Sequence, residues 1–136
     1  MADVTVRKVG DMDAIFYGSF KRAGSELEVE SFGMNIIDMP PGAGEQYPDH
    51  NHEHDSQEEV YLAVKGSGRI VLNDGEEEIP LDGETIVRVG PSVKRKIFSG
   101  DDGMRLLALG GVPGAVYERP EPFRKGVPDP TAQAAS

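Results

Sequence analysis

The segment Gly44-Glu45-Gln46-Tyr47-Pro48-Asp49-His50-Asn51-His52-Glu53-His54, continued by Asp55-Ser56-Gln57-Glu58-Glu59 and Val60-Tyr61-Leu62-Ala63-Val64-Lys65-Gly66, decides how this chain is read. It holds all three histidines of the protein. On an extended backbone alternate side chains share a face, so His50, His52 and His54 point the same way with about 6.6 Å between neighbours. His50 and His54 are then roughly 13 Å apart, and all three reach one ion only if the strand bends. An adjacent pair of imidazoles with a carboxylate from the next strand segment, which opens on Glu58-Glu59, makes a His₂-carboxylate set suited to Fe(II), Mn(II), Ni(II) or Zn(II). The bland reading of the same residues is a solvated acidic loop.

Working outward, Glu59, Tyr61 and Ala63 alternate with Val60, Leu62 and Val64, a strand pattern. Tyr61 shares the Glu59 face, where it either lines a pocket and donates a hydrogen bond or serves as core. Turn signals recur at short intervals on both sides. Residues 4–9 read as a strand, 11–26 are ambiguous, and 27–30 with 34–39 form a hairpin around Gly33 or one bent strand that ends at Pro40-Pro41-Gly42. Downstream, Gly66-Ser67-Gly68 reads as a turn, then strands 69–72, 79–81, 85–89, 93–98 and 104–109 follow, separated at Asn73-Asp74-Gly75, Asp82-Gly83, Gly90-Pro91 and Gly100–Gly103. Eight or so short strands without helix-period segments predict an all-β sandwich or small barrel.

The composition agrees. The chain has 136 residues, enough for one domain, with 38% hydrophobic residues, 17 Gly and 10 Pro, a balance that favours strands and turns over a helical bundle. Formal net charge is −10, which repels phosphate backbones and argues against nucleic acid; strand alternation also splits Lys94, Arg95 and Lys96 across two faces. There is no cysteine, so disulfides, thiolate metal sites and cysteine nucleophiles are excluded and any metal must use His, Asp, Glu or water. No signal-peptide core and no apolar stretch of membrane-spanning length is seen, so the expectation is a cytoplasmic protein without a membrane partner.

Gly44-x₅-His50-x-His52 and Glu59-x₆-Gly66 resemble the first motif of the cupin superfamily, whose barrels are double-stranded β-helices or jelly rolls. The match is split: His50 and His52 have the right distance from Gly44, whereas His52 and His54 have the right distance to Glu59. His50 and His52 are favoured, because the acidic insertion Glu53–Gln57 is easily absorbed in a loop. Residues 83–99 resemble the second motif, with Arg95 where the family carries its last metal-binding histidine and Ser99 where an Asn is usual. The resemblance implies a cupin barrel over residues 1–117, with motif regions at about 44–66 and 83–99, and a homodimer. Residues 118–136, with four prolines and little to bury, are expected to be an extended arm or a disordered tail, with a frayed end favoured over a dimer-clasping arm, for which Phe123 is the one residue able to serve as anchor.

Alternation places Val93, Arg95 and Ile97 on one face, so Arg95 is expected inside the barrel. A guanidinium is permanently charged and cannot ligate a metal. Two readings follow: Arg95 pairs with Glu59 in a metal-free, non-catalytic ligand-binding or structural dimer barrel, or a three-ligand metal site survives and Arg95 orients the anionic group of a small-molecule ligand. The leading expectation is a pocket with metal candidates His50, His52, His54 and Glu59 and ligand contacts from Arg95 and Tyr61. Were it catalytic, the resemblance implies metal-dependent dioxygenase or isomerase chemistry.

Overall fold

The computed structural model describes residues 2–130. Seven strands follow in chain order: β1 (Ala14–Ile15), β2 (Phe20–Lys21), β3 (Gly33–Met39), β4 (Glu58–Leu72), β5 (Glu77–Leu81), β6 (Ile86–Val89) and β7 (Arg95–Gly111), with a one-turn helix α1 (Ala23–Glu26) between β2 and β3. All pairings are antiparallel. The order is β1-β2-β3-β7-β4-β5, with β6 also on β4. The architecture is an all-β jelly-roll barrel.

Two long strands make it. The first half of β4 pairs with β6 and with the second half of β7, and the second half of β4 pairs with β5 and with the first half of β7. Gly66-Ser67-Gly68 is therefore not the turn expected from sequence. The strand runs on through it, bending at register shifts between Ala63 and Lys65 and between Gly66 and Gly68. Gly66 has φ +67°, and a Cβ there would lie 2.1 Å from the Gly103 carbonyl oxygen, so only glycine lets the two chains cross this closely. The expected turn at 100–103 is likewise internal to β7.

The N-terminal expectation is also corrected. Residues 4–9 form no strand, because Val4 and Val6 are exposed with no apolar face to cover, and the segment ends in a 3₁₀ turn at Val9–Asp11. Nor do residues 27–30 pair, since the chain turns out of α1 there through Glu28 at φ +61°. Asn73-Asp74-Gly75 does reverse the chain, with Asn73 and Asp74 in the left-handed region. Among the described residues no helix is long and apolar enough to cross a membrane.

The core lies between the sheet faces and includes Tyr61, Ala63, Ile70, Leu81, Val89, Met104 and Leu106. Beyond the barrel, residues 118–130 cross the N-terminal segment as an arm. The Phe123 ring stacks on Phe20 at 5.2 Å. Buried Arg22 donates from Nη1 to Asp13 and to the Val127 carbonyl, both at 2.7 Å, and the Gly126 N–H donates to the same Asp13 carboxylate. Residues 131–136 of the expected tail lie outside the described residues.

Candidate functional site

The histidine segment is strung onto the start of β7. His50 N–H donates to the Arg95 carbonyl at 2.9 Å and Arg95 N–H returns to His50 at 2.8 Å, while His52 N–H donates to Pro91 at 2.8 Å. After His52 the chain turns, with Ser56 N–H bonding the His52 carbonyl at 2.8 Å. This turn absorbs the acidic insertion and ends the alternation. His50 and His52 stay on the inner side; His54 is carried outward, its side chain 74% exposed and its Nε2 3.4 Å from Asp55.

His50 Nε2, His52 Nε2 and Glu59 Oε1 converge. The last two are 3.0 Å apart and the first lies 3.7 Å from the carboxylate oxygen. Two donor atoms each about 2.1 Å from one ion sit about 3.0 Å apart at octahedral angles and about 3.4 Å apart at tetrahedral ones, so the donor chemistry and spacing fit a divalent metal. His54, expected among the candidate ligands, does not join this set; it belongs to a second group, His52, His54 and Asp55, on the solvent side. That group competes for His52, whose Nδ1 bonds Asp55 at 3.1 Å.

The supporting contacts are specific. Gln57, which is buried, donates from Nε2 to Asp55 at 2.8 Å, fixing the carboxylate that fixes His52. Such a carboxylate behind a histidine sets its ring orientation and makes the outward nitrogen a better donor to metal. Tyr61, 1% exposed, donates its hydroxyl to Glu59 Oε1 at 2.5 Å. Arg95 is fully buried; its Nη2 bonds the Gly90 carbonyl at 2.9 Å, and its Nη1 lies 3.7 Å from the same Glu59 oxygen. Arg95 Nε and Nη1 have no hydrogen-bond partner among the described residues.

Protonation follows from these contacts. Burial pushes the Glu59 carboxyl up, but hydrogen bonds from His50 and His52, the charge of His52 and the Tyr61 hydroxyl outweigh it and hold the group well below the usual carboxylate range. Burial pushes His52 down, yet the hydrogen bond and charge of Glu59, with the charge of Asp55, raise it above its ordinary value. Glu59 and Asp55 thus both favour the charged form of the His52 ring. Tyr61 is raised well above its ordinary value by burial and by Glu59, so it remains a hydroxyl donor.

The donors open onto a cavity of about 230 Å³. Ile37, Met39 and Ile97 line its depth, and Phe16, Phe20 and Phe123 belong to its apolar walls. Tyr61 lines it too, as one of the alternatives for that residue had it, but Arg95 does not: it stands behind Glu59, outside the lining. The sequence reading missed Asp55 and Gln57, although Asp55 lies three residues after His52, the spacing a tight turn closes. It also missed Phe16 and Phe20, whose ambiguous segment gave no period to read.

This barrel is the cupin fold. A cupin protein from Bacteroides fragilis matches it at TM-score 0.65 and 22% identity, over 95% of this chain and 99% of that one. An RmlC-like cupin protein from Desulfovibrio desulfuricans matches at TM-score 0.52 and 21% identity, over 60% of this chain and 73% of its own. A sugar phosphate isomerase of the cupin superfamily from Silicibacter pomeroyi matches at 0.54 and 20%, over 67% of this chain and 57% of its own. No family model and no curated protein matches the sequence.

Proposed function

We propose that this chain is a small cupin-domain protein that binds a small anionic molecule in the barrel, with a divalent metal held by His50 Nε2, His52 Nε2 and Glu59 Oε1. The observation that carries the reading is the convergence of these three atoms in the lining of an otherwise largely apolar cavity. Fe, Mn, Ni and Zn all suit the donor set. A metal held by His50, His52 and Glu59 would supply Lewis acidity toward a carbonyl or carboxylate oxygen.

The chain's own residues prepare that site. Asp55 holds the His52 ring so that Nε2 faces the cavity, and Gln57 holds Asp55. Tyr61 donates one hydrogen bond to Glu59 Oε1, and Arg95 balances its charge from behind. With a dication present, the formal charges of metal, Glu59, Arg95 and Asp55 sum to +1, which favours an anionic ligand. Arg95 acts on that ligand through its field. The protein acts as a homodimer, in which the outer sheet face is the contact. In support, Ile36, Leu107, Leu62 and Ile86 form one row across β3, β7, β4 and β6, with Ile86 69% exposed.

One observation favours a second reading, a metal-free, non-catalytic ligand-binding or structural barrel: Arg95 lies within ion-pair distance of Glu59, where a metal-binding histidine would otherwise complete the set. Metal analysis separates the two. Full-length protein purified without a chelating tag is expected to carry close to one metal per chain, and His52→Ala and Glu59→Ala close to none. Sub-stoichiometric metal in all three, with no rise in melting temperature on metal addition, would refute the metal site and leave the second reading.

A further inference from the structure

The cavity lining combines one polar group with a largely apolar remainder, and its chemistry selects the body of the ligand as well as its head. The polar group is His50, His52 and Glu59. The rest of the lining is dominated by aliphatic and aromatic side chains, and no Lys or Arg belongs to it among the described residues. Its polar side chains are mostly engaged elsewhere. Tyr47 donates its hydroxyl to Ser19 Oγ at 2.8 Å, Gln57 is bonded to Asp55, and Tyr61 to Glu59. Asn35 and Tyr117 also line the cavity, but a polyhydroxylated ligand or a phosphate distant from the metal has more polar atoms than these two side chains can serve and would lose most of its water without replacement, at a steep cost in affinity.

Three phenylalanines belong to the apolar part of the lining. Phe16 meets Phe20 edge-on at 5.7 Å, and Phe20 stacks on Phe123 at 5.2 Å. Phe123 comes from the arm beyond the barrel, and Tyr117 and Pro120 of the same stretch also line the cavity. The arm is thus a wall of the binding site. The size is informative too: a dry apolar cavity of about 150 Å³ takes up benzene, and the space here is about 230 Å³. A phenyl ring fits with room for a carboxylate on a one-carbon tether.

We infer that the ligand is a small monocarboxylate carrying one aryl or compact alkyl group, its acid at His50, His52 and Glu59 and its apolar body against Phe16, Phe20 and Phe123. This rests on the metal-site reading for the head and on the cavity wall for the body. The test uses the full chain loaded with Co(II), its metal content measured on the same sample, and calorimetric titration with phenylacetate, acetate, 4-biphenylacetate and glucose 6-phosphate. Phenylacetate is expected to bind about ten- to a hundred-fold more tightly than acetate, from burial of the ring. The longer 4-biphenylacetate gains nothing over acetate, and glucose 6-phosphate gains nothing over inorganic phosphate. Phe123→Ala should bring phenylacetate to within about threefold of acetate with metal content unchanged.

Equal affinity for acetate and phenylacetate on protein holding one metal per chain would overturn the inference and spare the metal site. Preference for phenylacetate on a chain that takes up no metal would overturn the metal site and support the aryl assignment. Tight glucose 6-phosphate binding would overturn the ligand class outright. Should Phe123→Ala fail to fold, the 4-biphenylacetate and acetate comparisons on the unaltered chain decide alone.

Discussion

Replacing Glu59 by Gln isolates the role of the buried pair. The change keeps shape and an acceptor oxygen for Tyr61 but removes the charge that Arg95 faces. Unit charges 3.7 Å apart at an effective dielectric constant of about 20 attract by about 4.5 kcal/mol. Arg95 is fully buried and has two nitrogens without hydrogen-bond partners among the described residues, so little water is at hand to replace the carboxylate. Offsetting this, the neutral amide of the variant carries no anion to desolvate. A loss of about 3 kcal/mol is expected, within the range for stranding one member of a buried pair. For a domain of this size that is roughly 10 °C in melting temperature.

The assay is urea denaturation in EDTA, so that loss of a metal ligand does not enter, on wild type, Glu59→Gln, Arg95→Met and the double variant. Arg95→Met alone leaves Glu59 with the Tyr61 hydroxyl and the His52 ring within 3.0 Å, so it should cost less, about 1–2 kcal/mol. The double variant removes both charges and should recover most of the deficit, giving a coupling of about 2 kcal/mol or more. Additivity within about 0.5 kcal/mol, or a Glu59→Gln loss under about 1 kcal/mol, would refute the argument that Arg95 depends on this carboxylate.

In metal-free protein, His52 has its folded pKa raised above 6.5, so the stability it contributes is complete below that pH and is lost as pH rises through the raised value. Glu59, lowered from 4.5, contributes above that pH and loses its contribution as pH falls through its depressed value. The urea midpoint should therefore decline on both sides of this window, and an NMR titration of the His52 ring should show the raised value, abolished when metal occupies Nε2. Asp13→Ala strands buried Arg22 and releases Gly126, so trypsin should cut the arm at Arg124 or Lys125 roughly five-fold or more faster, from a local loss of about 1–3 kcal/mol; an unchanged rate would show that the arm is held otherwise. Ile86→Lys should reduce the light-scattering mass of a dimer toward the 14.7 kDa chain, whereas a wild-type mass already at that value would remove the pairing proposal.

Period-two patterning made the barrel strands legible, and the density of Gly and Pro marked where the chain changes direction. What patterning could not distinguish is a reversal from a bend. Gly66-Ser67-Gly68 and Gly100–Gly103 carry the composition of turns, yet they face each other across one β4–β7 ladder, where missing side chains serve close approach of two backbones. The clustering of His50, His52 and His54 pointed to the site, but the strand period placed them equivalently. The turn after His52, closed by the Ser56 N–H, separates His54 from the pair, a distinction of backbone direction.

Arg95 shows the same limit in electrostatic form. Alternation with Val93 and Ile97 pointed it inward, and the side chain is buried, but inward in a barrel includes both the cavity surface and the layer behind it. Which of these holds depends on the Val89 and Gly90 carbonyls, which accept from Nη2 and keep the guanidinium behind Glu59. Those acceptors are backbone atoms at the end of β6, present whatever the side chains there, and so carry no mark in the sequence. Held there, the cation stabilises the ionised carboxylate without meeting the ligand directly. It therefore serves either reading of the site: with a metal it offsets one ligand's charge, and without one it supplies a permanent positive charge beside Glu59.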